Sequence, residues 1–161
     1  MITRTVPKTT PLRSRLLYVE ENAESVALME QLLAGRNDLQ LMCAADVNLA
    51  IKLSRSKRPE VILVNIDLPG VTELGAVRLM TLLRADPGTQ TAPIVALSAN
   101  ADAAAVVKGL EAGFFHYLTM PLKAGPFMEA LAYALEFAAL ERTEQADAHL
   151  RGRPQPLKEP K

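Results

Sequence analysis

The sequence predicts an α/β protein built on a parallel sheet of five strands with five helices. Three observations carry this. Short apolar runs alternate with segments of helical period along the chain. The connections are short and hold Gly, Pro, Asn and Asp, the residues that turn a chain. Val61-Ile62-Leu63-Val64 is apolar without interruption, as suits a central parallel strand covered on both faces. At 161 residues, 49% apolar and 22% charged, the chain can bury one packed core, and global disorder is excluded.

Leu16-Leu17-Tyr18-Val19 is the first strand, ending at two acids. Val26, Leu28, Met29, Leu32 and Leu33 recur near helical period between Glu24 and Ala34, and Gly35 stops that helix. Leu39 to Ala44 is the second strand. Asp46 is placed to cap a helix through about Lys57, which Pro59 closes. Val61 to Val64 is the third strand, followed by a turn at Leu68-Pro69-Gly70 and a helix over Glu73 to Arg84. After the turn Asp86-Pro87-Gly88, the fourth strand runs from Pro93 to Leu97 and ends at Ser98. Asn100 is expected to cap a helix to about Ala112, with Gly113 beyond it. Phe114 to Leu118 is the fifth strand. Pro126 suits the first position of a final helix that buries Phe127, Leu131, Leu135 and Ala138. Helix formers continue to about Leu150, but the apolar stripe fades after Leu140, so this extension is expected to be solvated or to pair weakly with a partner.

These signals divide the chain into a flexible segment at 1–14, a folded domain at 15–141, and a helix extension with a Pro-containing tail at 142–161. Charge follows the same division. Residues 1–15 carry four bases and no acid, 16–141 nine bases and fifteen acids, and 142–161 five bases and three acids. An acidic domain thus sits between two short basic ends. The basic charge is too sparse to argue for nucleic acid, which selects for cations on the folded surface. One cysteine, Cys43, and two histidines exclude an internal disulfide and a Cys- or His-rich metal site. No apolar run reaches membrane-spanning length, and Met1-Ile2-Thr3-Arg4 lacks a secretory h-region. A cytoplasmic location away from membranes is expected.

In such sheets the ligand crevice lies beyond the strand C-termini. That rule selects Glu20, Glu21, Asn65, Asp67, Ser98 and Met120. Four motifs stand there in order: Leu17-Tyr18-Val19-Glu20-Glu21-Asn22, Val64-Asn65-Ile66-Asp67-Leu68-Pro69-Gly70, Ala96-Leu97-Ser98-Ala99-Asn100 and Tyr117-Leu118-Thr119-Met120-Pro121. Over about residues 15–140 the chain resembles the receiver domain of two-component response regulators. The resemblance implies a doubly wound, CheY-like (flavodoxin-like) sheet of order 2-1-3-4-5.

It also implies a chemistry: phosphoryl transfer from a histidine kinase onto an aspartate at the end of the third strand. An acidic pair holds Mg²⁺, and a Ser/Thr hydroxyl and a Lys contact the phosphoryl group. Glu20 and Glu21 fall on the acidic pair, with Glu21 where Asp is usual. Asn65 falls on the phosphoacceptor, and a carboxamide offers no useful nucleophilic oxygen. Ser98 keeps the hydroxyl. Met120 falls on the Lys and carries no charge. Tyr117 falls on the aromatic whose rotamer reports activation. Two losses, at 65 and 120, point to a pseudo-receiver that keeps the scaffold and discards the reaction. Met120 is expected to fill the vacated space as a flexible apolar side chain.

The expected function is therefore regulation by protein contact, not enzymatic. The expected partner is a histidine kinase, a response regulator or an output protein, either acting in trans or contacted through the tail, since no effector domain is read after this one; a homodimer is the other candidate assembly. The contact face expected from the resemblance includes Val106, Lys108, Glu111, Tyr117 and Lys123. No cofactor is expected beyond weak Mg²⁺ binding at Glu20 and Glu21. Two alternatives stay open: Asp67 as a displaced phosphoacceptor, and a small-molecule sensor in the same crevice. The absence of a G-x-G-x-x-G loop counts against a nucleotide.

Overall fold

The computed structural model describes residues 13–100 and 102–152. The expected flexible segment, apart from its last two residues, and the Pro-containing tail beyond Gly152 lie outside the described residues. Five strands, β1 (Ser14–Val19), β2 (Leu39–Ala44), β3 (Val61–Asn65), β4 (Ile94–Ser98) and β5 (His116–Thr119), form one sheet. Its order is β2-β1-β3-β4-β5 and every pairing is parallel. This is the order that the resemblance implies. The helices are α1 (Ala23–Leu32), α2 (Val47–Lys57), α3 (Pro69–Leu74), α4 (Ala76–Arg84), α5 (Ala103–Ala112) and α6 (Ala124–Arg151).

Alternation along the strands divides the core into two layers. Leu17, Val19, Ile62, Val64, Ile94 and Ala96 face one side, where Val47 and Ala50 of α2, Val71 of α3, and Leu79, Met80 and Leu83 of α4 cover them. Leu16, Tyr18, Leu63, Val95, Leu97 and Leu118 face the other side, against Met29 of α1 and Phe127, Ala130, Leu131 and Ala134 of α6. Residues 127, 130, 131, 134 and 138 form the stripe that a helix of period 3.6 buries. Phe127 and Leu131 are each 1% exposed, and removing such a side chain costs about 2–5 kcal/mol.

The single helix expected over 73–84 is two. Gly75 has φ 78° and ψ 146°, a conformation that breaks the helix and that side chains with a Cβ avoid. The third crossover therefore holds α3 and α4, giving six helices among the described residues. Asn100 does not cap α5. The helix starts at Ala103, so Asp102 is the N-cap and its side chain accepts from the Ala104 N–H. Asn100 Oδ1 accepts from the Asp102 N–H at 2.9 Å instead. The final helix starts at Ala124, so Pro126 is its third residue rather than its first. That place is still in the first turn, where an N–H has no intrahelical partner to lose. The fifth strand begins at His116, two residues later than expected.

The extension of α6 is not merely solvated. Its helix continues unbroken across residues 141 and 142. Arg142 forms an ion pair with Glu60, which also accepts from the Arg15 N–H. Gln145 Nε2 donates to Thr91 Oγ1 at 2.9 Å. Both ties sit at the rim where β3 and β4 begin, opposite the crevice. The side chains of the last helical turns, 146–151, are exposed.

Candidate functional site

The strand C-termini bring four of the selected residues, Glu20, Asn65, Asp67 and Ser98, together in one hydrogen-bonded chain. β3 ends at Asn65, and the Ile66 N–H donates to the Leu97 carbonyl at 3.0 Å. Asn65 Nδ2 donates to Glu20 Oε2 at 2.6 Å, and its Oδ1 accepts from the Asp67 N–H at 2.9 Å. Only one orientation of the amide meets both partners, which fixes its assignment. Glu20 is 3% exposed. Its Oε1 accepts from the Asn22 N–H at 3.0 Å. Asn22 in turn caps α1, its Oδ1 accepting from Glu24 and Ser25 N–H groups at 2.8 and 3.1 Å. Burial and the adjoining Glu20 raise the Tyr18 phenol above its ordinary range, so it stays protonated opposite that carboxylate.

The network continues beyond Asp67. Asp67 Oδ1 accepts from Ser98 Oγ at 2.8 Å, and Oδ2 accepts from the Ala99 N–H at 2.7 Å. Ser98 Oγ accepts from the Asn100 N–H at 3.1 Å. The Asn100 carbonyl accepts from Tyr117 Oη at 2.9 Å. Tyr117 is 9% exposed, with its ring over Gly109. A Cβ at Gly109 would stand 2.9 Å from Tyr117 Cδ2, so glycine makes the room for this seat.

Not every selected residue joins. Glu21 is exposed. Met120 is half-buried and packs with the α1/α6 layer; its N–H donates to the Ser98 carbonyl at 2.7 Å. On the expected contact face, Lys108, Glu111 and Lys123 are exposed, but Val106 is half-buried against the core. Its neighbour Val107 is the outward one, at 51% exposure. Sequence reasoning missed Asn22, Ala99 and Gly109. Asn22 had a legible signal, an Asn directly before a helical pattern. Ala99 acts through its backbone and Gly109 through the absence of a side chain, which no spacing rule reports.

The donor set offers a divalent cation at most a weak site, in keeping with the expectation of weak Mg²⁺ binding. A hard cation wants several free oxygens. Here both Glu20 oxygens already accept N–H groups, and position 65 presents an amide hydrogen towards Glu20. Among the described residues no group of three or more His, Cys, Asp or Glu is placed to hold a metal. Beside this network an open cleft of ≈ 680 Å³ runs between α4 and α5, lined among others by Asp67, Arg78, Ser98, Lys108 and Tyr117.

The model of the response regulator receiver domain matches residues 16–132. The chain belongs to this family. Among curated relatives, this receiver domain is 33% identical over 112 residues to the DNA-binding response regulator MtrA of Mycobacterium tuberculosis, covering 70% of this chain and 46% of that protein. It is 32% identical over 109 residues to the transcriptional regulatory protein CseB of Streptomyces coelicolor, covering 68% and 44%. The chain thus spans about half the length of the curated relatives it matches. Among solved structures, the receiver domain of the sensor histidine kinase PA1611 from Pseudomonas aeruginosa PAO1, with magnesium in its active-site cleft, superposes with a TM-score of 0.66 at 26% identity. The match covers 77% of this chain and 98% of that one. The chemotaxis protein CheY4 of Vibrio cholerae shares the fold, with a TM-score of 0.67 at 17% identity over 76% of this chain and 99% of that one. Among the described residues no helix is long and apolar enough to cross a membrane.

Proposed function

We propose that this receiver domain works in two-component signalling without an aspartyl-phosphate, regulating a protein partner by contact. One observation carries the reading. At the end of β3, where the family's acceptor belongs, a carboxamide bridges Glu20 and the Asp67 N–H. An amide has no oxygen nucleophile to take a phosphoryl group. The missing ammonium at Met120 supports the same reading, since phosphoryl transfer relies on positive charge to offset the phosphate oxygens, and Glu20 is engaged by the Asn22 and Asn65 N–H groups. No residue is assigned a catalytic role, and no nucleic acid or membrane contact is part of the proposal.

The partner is a histidine kinase, another response regulator or an output protein. The surface offered to it is the outward side of α5 with the start of α6, where Val107, Lys108, Leu110, Glu111 and Lys123 are exposed. The DNA binding in MtrA's name is a property of that longer protein.

The experiment is incubation with acetyl phosphate and Mg²⁺ followed by intact-mass measurement. The expected spectrum shows no phosphate adduct. The displaced-acceptor reading has a specific basis, because Asp67 is a carboxylate in the same crevice. An adduct present in the native chain and lost in Asp67→Asn would establish that reading and overturn this one.

A further inference from the structure

The two donors that close on Asp67 come from a different strand end. Ser98 Oγ, on the last residue of β4, and the Ala99 N–H just beyond it are both directed at the Asp67 carboxylate, and together would stabilise any anion placed against them. In this chain the anion is covalently attached: the Asp67 carboxylate, carried on the β3–α3 loop, gives one oxygen to each donor. We propose that Asp67 is a tethered anion that permanently fills this seat, and that by filling it the residue holds Tyr117 in its inward position.

The coupling has a continuous path. Asp67 fixes the Ser98 hydroxyl, whose oxygen accepts the Asn100 N–H. That bond orients the Asn100 peptide chain, and the Asn100 carbonyl receives the Tyr117 hydroxyl. Gly109 completes the arrangement by leaving the ring its space. Asp67, Ser98, Asn100, Gly109 and Tyr117 all line the α4–α5 cleft. Filling the seat therefore sets the shape of that cleft as well as the tyrosine. A tethered carboxylate avoids the entropy cost of capturing a free anion, so the seat is filled without a second molecule. The inference deepens the proposed function and rests on it: a domain that takes no phosphoryl group holds a single surface for its partner by means of its own carboxylate.

The test uses the full chain labelled with 3-fluorotyrosine, which gives one ¹⁹F resonance each for Tyr18, Tyr117 and Tyr133, the Tyr117 signal being identified by its loss in Tyr117→Phe. Tyr133, 58% exposed, marks the solvent end of the scale. Asp67→Ala and Ser98→Ala are expected to move or broaden the Tyr117 resonance towards the solvent-exposed position. The Tyr18 and Tyr133 resonances stay in place, and Glu21→Gln, an exposed acid outside the network, leaves all three unchanged. Asp67→Asn keeps the side-chain volume and reads the same signal should Asp67→Ala fail to fold. An unchanged Tyr117 resonance in folded Asp67 and Ser98 variants overturns the proposal. Treating the native sample with acetyl phosphate separates the two readings. An Asp67 adduct removes the non-phosphorylated reading whatever the tyrosine does, whereas a still tyrosine without an adduct removes only the tethered anion.

Discussion

At Asn65 a neutral group stands between two others that both need it. Its Nδ2 satisfies a buried carboxylate and its Oδ1 satisfies a backbone N–H. An aspartate there could do only the second. It would also bring a second negative charge to within about 3 Å of Glu20, at a distance where like charges shift one another's ionisation strongly. Asn65→Asp is therefore expected to lower stability by about 1.5–3 kcal/mol, the worth of a hydrogen bond to a charged group. In thermal melts with EDTA this reads as a drop of roughly 5 °C. Adding Mg²⁺ should recover part of the drop in Asn65→Asp and leave the native melt unmoved. A native melt that rises equally with Mg²⁺ would show that Glu20 is free to bind it. The same variant is expected to stay poorly phosphorylated, because Met120 still supplies no charge.

Among elements, the break between α3 and α4 depends on one residue. Nothing lies within 4 Å of a Cβ built at Gly75, so the constraint there is backbone conformation and not space. Gly75→Ala is expected to cost about 1–3 kcal/mol, the strain of a φ/ψ region reserved for glycine. Gly70, inside α3 and also unhindered, gives the contrast: Gly70→Ala should be neutral or stabilising by up to about 1 kcal/mol. Urea midpoints of the two variants moving together would sink this account. The break also marks where sequence reading ran out. Apolar periodicity located the strands and most of the buried face of α6, because burial dictates those residues. It joined 73–84 into one helix, because Gly75 looks like any tolerated helical glycine until its φ is known. The places of Glu20, Asn65, Ser98 and Tyr117 along the crevice were legible from motif order, whereas Glu21 stands exposed outside the network. The seat of Asp67 was not, since its partners lie 31 and 32 positions away and one is a backbone N–H.

For the whole molecule, the two rims of the sheet do different work. The C-terminal rim carries the polar network, while the N-terminal rim is where α6 is tied down through Arg142 to Glu60 and Gln145 to Thr91. Arg142 is 59% exposed, so its pair contributes at most about 1 kcal/mol. Replacing both residues, Arg142→Ala with Gln145→Ala, is expected to lower the melting temperature by only a few degrees. Hydrogen exchange should instead change locally, with faster exchange over residues 146–151 and none of that acceleration in β1, β3 or β4. Uniform acceleration across the sheet would mean that the helix end is part of the cooperative core. The sequence could not show this attachment because the apolar stripe, the only periodic signal available, fades before the polar contacts begin.

The placement of Asn65 also governs how the chain ages. Spontaneous loss of ammonia from an asparagine proceeds through attack by the next residue's nitrogen on the side-chain carbonyl, and here it would deliver a carboxylate to the one position where an acid restores the family's acceptor. The next nitrogen is that of Ile66, whose hydrogen is committed to Leu97 in the sheet and whose branched side chain crowds the approach. The fold thereby shields the amide from the hydrolysis that would undo its neutrality.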